Sequence, residues 1–403
     1  MLVSCFSEND DPMKAGEEVG RKLKGAEYSI VFVNHTLDVA KVVRGIRETS
    51  GSTVFGCTSS YGISDGTLVE RGVCAMGLSS RDLVGGLAVQ PAGKGYECGV
   101  SVTEAALKDL SAKRERLASV FARYSAVVSN MPEKLAVSKS YFYILDFSEP
   151  FSFSDASMLE GVRSVMNPSV PLFGGNAFGD IKSWKSYQIL NEVYSNSTVL
   201  GIFATNKSFG FASGTSFTLR DRTPYVVTKA RDNTVYELNY RPVLEVYSEL
   251  TGISMEKLKE EKVIAYTIGA ECPFVLVDLT GRALMKYPTM VNDDGSILFG
   301  TKTATGSVLF SARSSRKKIV EDAESIVKEA LKNTKEPQAL LLFDCWQRLA
   351  VMGEDYAKEA EAIARASRGV PAIGFYTMGE HFSAGSHTGH ENGSLIAVAI
   401  GEE

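Results

Sequence analysis

Three of the chain's four histidines, His381, His387 and His390, fall in the stretch EHFSAGSHTGHENG, with Glu380 and Glu391 beside them. Imidazoles and carboxylates gathered in one segment could hold a metal ion or move protons. The spacing matches no hydrolase signature such as HExxH, so hydrogen bonding within a loop or to a ligand is the expected use, and neither a metal nor another cofactor is expected. A second group lies in FDCWQR, where Asp344, Cys345 and Arg348 follow the apolar run ALLLF. A cysteine near an arginine could be a thiolate nucleophile, yet a thiol beside Trp346 is more simply read as packed. Arg348 suits bidentate recognition of a carboxylate, with a structural ion pair as the plain alternative.

A third group is a phrase written three times. VPAIGFYTMGEH at 370–381 has a near copy in VPLFGGNAFGDI at 170–181 and a looser one in TVFGCTSSYGI at 53–63. Glycine-rich turns after strands let backbone N–H groups converge on an anion, which makes Gly56, Cys57 and Thr58, Gly174, Gly175 and Asn176, and Gly374, Tyr376, Thr377 and Gly379 candidates. Two glycines also make a tight bend and nothing more. Equivalent positions carry different side chains, which speaks against three active sites and for a fold corner adapted for binding in one or two copies. Known phosphate motifs are missing: there is no GxxxxGK[ST], and GKGYEC at 93–98 lacks the third glycine of a dinucleotide fingerprint.

The elements that carry these phrases also recur. LVSCFS reads as a strand, Asp10 or Asp11 as a cap, Pro12 as a first helical residue and MKAGEEVGRKL as a helix; then come the strand SIVFVN, the helix LDVAKVVRGIRET, the strand TVFGCT with its turn, and the strand VCAMGLSS. The same order recurs from LVGGLAVQ to TVLGIFAT, and again from SVLFSA to SLIAVAI. Between the second and third copies, residues of about 213–305 show period-two runs, one helix near PVLEVYSELTG and a hairpin turn at DDG, predicting a mostly antiparallel insert. The fold class is therefore α/β (α+β), with mixed sheets covered by helices, and the chain divides near residue 235 into 1–235 and 236–403.

Composition excludes several classes. The 403 residues carry a formal net charge of -5 with the signs interspersed, so no basic footprint for nucleic acid or anionic membrane exists. No apolar run is long enough to span a bilayer, the N-terminus has an acidic cluster where a signal peptide stays apolar, and a cytoplasmic location is expected. The six cysteines form no CxxC pair and sit largely in strand-like runs, as reduced buried thiols would.

The chain resembles the FIST sensory domains. The N-terminal resemblance runs through VFVNHTLDVAKVVRGIRE, VFGCTSSYGI and PLFGGNAFGD, and the C-terminal one through VNDDGSILFGTKTATGSVLFSA, LLLFDCWQR, PAIGFYTMGEHF and GHENGSLIAVAI. His390 and Asn392 match the family's H-x-N ahead of the last strand, whereas Ser60-Tyr61-Gly62 departs from its small-Gly-Glu. The resemblance implies a small-ligand sensor for amino acids or related metabolites, signalling here to a partner in trans. Its carboxylate would meet turn N–H groups or Arg348, and its ammonium Glu380 or Asp344, between the two halves. The alternatives are an enzyme using Cys345 or the histidines, or a protein-interaction scaffold.

Overall fold

The computed structural model describes residues 2–130, 142–152, 154–179, 185–277, 283–384 and 387–402, with only the backbone of Tyr124, Val127, Val128, His387 and Thr388. Each sequence copy builds a mixed sheet in which four strands keep one order. Across the first sheet run Leu2–Ser7, Val73–Leu78, Tyr28–Asn34 and Thr53–Ser59; across the second Leu83–Pro91, Ser197–Thr205, Phe142–Ser148 and Leu172–Asn176; across the third Phe209–Thr215, Ser394–Ile400, Ala339–Cys345 and Ala372–Thr377. The last two strands of each set are parallel and the other neighbours antiparallel. A strand, a crossover helix and a second strand dictate that parallel pair.

Two short strands complete each sheet, and they come from a neighbouring copy. The hairpin of the second copy, Gln188–Leu190 with Glu192–Tyr194, pairs with Thr53–Ser59 of the first. That of the third, Glu380–Ala384 with His387–Glu391, pairs with Leu172–Asn176 of the second. That of the first, Gly62–Ser64 with Thr67–Val69, pairs with Ala372–Thr377 of the third. The exchange is cyclic, so the three copies form one closed body.

Local chemistry starts the helices. Pro12 opens Pro12–Lys22 behind Asp11, whose carboxylate accepts from the N–H of Met13 at 2.9 Å and of Lys14 at 3.2 Å; Asp38 and Ser315 cap Val39–Ser50 and Arg316–Lys332 in the same way. These helices cover the outer sheet faces, while the inner faces meet in a shared core. There Phe32 stacks on Phe375 at 4.4 Å and lies edge-on to Phe147 at 5.8 Å, with Phe343 joining from the third sheet. Strands buried on both faces read as unbroken apolar runs, which is why SIVFVN, ALLLF and SLIAVAI stand out in the sequence. In each third strand a glycine sits against the second strand: a Cβ on Gly56, Gly174 or Gly374 would lie 1.9 Å from Val31 O, 2.0 Å from Asp146 O or 2.6 Å from Leu342 Cβ.

Two expectations need correction. SVLFSA does not open the third copy; Val308–Arg313 pairs with Thr218–Arg231 in a separate eight-stranded antiparallel sheet, and the third copy's first strand is Phe209–Thr215, paired with Ser394–Ile400. The β-rich segment therefore interrupts the third copy after its first strand. It also carries Val243–Thr251, Met255–Glu261 and Ile268–Glu271 rather than one helix. Its own core includes Leu238, Tyr247, Phe274 and Phe299, its DDG turn places Gly295 at φ 82°, and residue 235 lies inside its strand Thr234–Leu238. Among the described residues no helix is long and apolar enough to cross a membrane.

Candidate functional site

The third copy's turn leads from Thr377 through Met378 and Gly379 into the exchanged strand Glu380–Ala384. Gly379 has φ 115°, and a Cβ there would lie 1.9 Å from His390 Nε2, so the turn requires glycine. Its N–H groups are committed to the fold: that of Met378 donates to Asn176 O at 3.1 Å and that of Gly379 to Thr377 Oγ1 at 3.3 Å. The corresponding corners are closed likewise, with the N–H of Thr58 donating to Tyr187 O at 2.9 Å and that of Ala177 to Ser148 O at 2.8 Å. The anion-cradle expectation is corrected for these groups: the N–H donors of Met378, Gly379, Thr58 and Ala177 are paired within the fold.

Arg348 is also reassigned. It has no exposed surface, contacts Asp344 Oδ1 at 2.9 Å, donates from Nε to Glu359 Oε1 at 3.1 Å and from a terminal nitrogen to Ile319 O at 3.3 Å, and bonds Ser216 Oγ. Burial pulls its pKa down, but Glu359 and Asp344 outweigh that and raise it; burial pushes both carboxyls upward, Asp344 furthest, with the other acid's charge adding to the rise there. Tyr376 lies against this cluster and Gly374 against Leu342, so Asp344, Arg348, Tyr376 and Gly374 hold the third copy together and do not line the cavity that Cys345 and Thr377 reach. Cys57 belongs to the shared core, and the Thr58 hydroxyl bonds Phe178 O at 2.7 Å. Glu380, also buried, accepts from the Ser394 N–H at 3.1 Å, from Ser394 Oγ at 2.7 Å and from Thr377 Oγ1; burial nevertheless pushes its carboxyl up to about 7.

Other predicted residues do converge. A cavity of ≈ 100 Å³ lies where the second copy, the third copy and the β-rich segment meet, room for several water-sized groups. Asn176 reaches it from the second copy with Pro150, Phe151 and Phe178. Cys345, Thr377, Gly379, His390 and Asn392 reach it from the third, with Trp346, Gln347 and Met378. The β-rich segment closes it with Val263, Ala265, Tyr266, Tyr287, Thr289, Met290, Leu298 and Gly300. Among the described residues, Asn176 Oδ1, Gln347 Oε1, Asn392 Nδ2 and His390 Nε2 are buried without a hydrogen-bond partner. Phe178, Tyr266 and Trp346 also line an outer cleft with His35, Ser60 and Arg71, and Tyr266 meets Trp346 edge-on at 4.2 Å. Cys345 is buried and free, and burial raises its thiol pKa well above the ordinary value, the reverse of what a nucleophile needs.

Behind His390 the histidines meet two acids. His381 Nδ1 bonds the Asp146 carboxylate, and its Nε2 lies 3.9 Å from Asp155 Oδ1; His390 Nδ1 lies 3.2 Å from Asp155 Oδ2. Burial lowers the His381 pKa, but the carboxylates of Asp146 and Asp155 more than offset it, a net rise; burial raises that of Asp155, but His390 and His381 bring it below the ordinary range. The side chain of His387 lies outside the described residues.

Sequence reasoning missed Gln347, although it adjoins Cys345 and Trp346 in a phrase already singled out. It also missed Asp155, in an unremarkable helix start, and every wall residue of the β-rich segment.

Residues 28–241 match the family described as FIST N domain, and residues 244–383 the one described as FIST C domain. No curated protein matches the chain. Two solved structures from Thermotoga maritima, of PurLQS and of PurL complexed with ADP, are 13% and 11% identical; they are matched over 100% of this chain and 73% and 72% of theirs, with TM-scores of 0.20 and 0.19. Likeness at that level carries no argument about fold or function.

Proposed function

The chain belongs to the FIST family of paired N and C domains, which are small-ligand sensory domains, and on that premise we propose that it senses an amino acid or a similar small carboxylate in the cavity between its second copy, third copy and β-rich segment. The observation that carries the reading is the set of four unpartnered polar atoms on otherwise apolar and aromatic walls. Buried polar groups without partners are rare, and a small number of them on an apolar pocket is the pattern of a ligand site. Two are amide oxygens, Asn176 Oδ1 and Gln347 Oε1, which suit an ammonium; Asn392 Nδ2 donates and His390 Nε2 can donate, which suits a carboxylate.

Occupancy would bridge residues of all three parts across the cavity, and a signalling partner acting in trans in the cytoplasm would read the altered arrangement. The aromatic group of Phe178, Tyr266 and Trp346, shared with the outer cleft, is the entry route this reading requires. A panel of amino acids and organic acids tested by thermal shift, with calorimetry on each hit, is the experiment: at least one saturable binder is expected, and no binder across the panel would refute the proposal.

A further inference from the structure

We infer that Asp155, His381 and His390 form a binding site for a divalent first-row transition-metal ion, with zinc the default occupant. Strand exchange builds it. Asp155 begins the helix Asp155–Val165 of the second copy, while His381 and His390 stand opposite each other across the third copy's hairpin, which is paired to the second copy's sheet. One coordinating atom from each residue lies within 4.8 Å of the others. A tetrahedral ion with bonds of ~2.0–2.1 Å separates its ligand atoms by roughly 3.4 Å, so the side chains need close in only slightly.

Two observations point to an ion rather than to a self-contained ion-pair network. His381 is wholly buried, yet its Nε2, which faces Asp155, has no hydrogen-bond partner among the described residues. Its Nδ1 bonds the Asp146 carboxylate, which in turn accepts from Ser148 Oγ at 2.8 Å. A carboxylate on one imidazole nitrogen fixes the proton there and leaves the lone pair of the other for a metal, the usual support for a histidine ligand. Two imidazoles and a carboxylate are a donor set for zinc or iron(II), and calcium or magnesium would want oxygens. His390 also lines the cavity, so the ion would sit directly behind the ligand site's wall.

The test uses the full chain, stripped with EDTA and dialysed into metal-free buffer, then titrated with zinc chloride by calorimetry and with cobalt(II) by visible absorbance. One equivalent of each is expected, with the ligand-field bands of a nitrogen- and oxygen-bound cobalt ion. Asp155→Ala and His381→Ala should each weaken binding at least 100-fold, Asp146→Asn should weaken it 10- to 100-fold, and Lys317→Ala, on the exposed face of the helix Arg316–Lys332, should leave it unchanged. Should the alanine variants fail to fold, the stoichiometry and cobalt spectrum of the native chain and the Asp146→Asn affinity decide. Absence of binding by the native chain, or native affinity in folded Asp155→Ala and His381→Ala, would overturn the inference and leave an ion-pair network.

Discussion

An arginine with no exposed surface must be satisfied on every side, and Arg348 is, by Asp344, Glu359, Ser216 and Ile319. Arg348→Met should therefore destabilise the fold by about 3–5 kcal/mol, because it strands two buried acids, and chemical denaturation would register the loss. Ligand affinity in the fraction that remains folded should be unchanged, which separates this role from carboxylate recognition. Asn392 and Gln347 make the opposite case. Asn392→Ala and Gln347→Leu should leave the melting temperature nearly unaltered and weaken ligand binding by about 10-fold each, the worth of one hydrogen bond of about 1.4 kcal/mol. Cys345, Arg348 and Gln347, at most three positions apart, thus serve a wall, a core and a ligand, and residue type alone does not tell these roles apart.

At the scale of elements, the exchanged hairpins set both site and fold. Gly379→Ala forces a Cβ onto His390 Nε2 at an unfavourable φ, so it should lower thermal stability and abolish ligand binding together, whereas the same change at the open turn glycine Gly252, with nothing within 4 Å of its Cβ, should affect stability alone. The strand and helix periodicities were legible because the three sheets share one core and need the same doubly buried strands. The hairpin exchange was not legible: each hairpin has the same local pattern whichever sheet receives it, and pairing is decided by packing far away in sequence. SVLFSA misled for a related reason, being a strand of suitable length directly ahead of a capped helix, while the true first strand, FGFASGT, is glycine-rich and weakly apolar. Asn176, Thr377 and Gly379 could be found because they lie in the repeated phrase, and His390 and Asn392 because they stand in the histidine-rich stretch and match the H-x-N ahead of the last strand. Tyr287 and Met290 could not, since only the folding back of the β-rich segment brings them to the cavity.

For the whole molecule, cyclic exchange means that no copy is complete alone. Residues 1–241, isolated, would lack the 380–391 hairpin from the second sheet and the partner strand Ala372–Thr377 for the first copy's hairpin, and would expose Phe32 and Phe147. That fragment should show no cooperative thermal transition in calorimetry, whereas the intact chain should. The cavity depends on the same closure, so the most direct test of the account reads the ligand at its wall. Trp184 and Trp346 are the chain's two tryptophans, and Trp184→Phe leaves Trp346 as the sole reporter. Fluorescence titration of that variant with the ligand found by thermal shift should give a saturable change in Trp346 emission, displaced about 10-fold to higher concentration by Asn392→Ala. An unchanged Trp346 signal under a ligand that stabilises the protein, with equal affinity in the Asn392→Ala variant, would contradict the placement of the site.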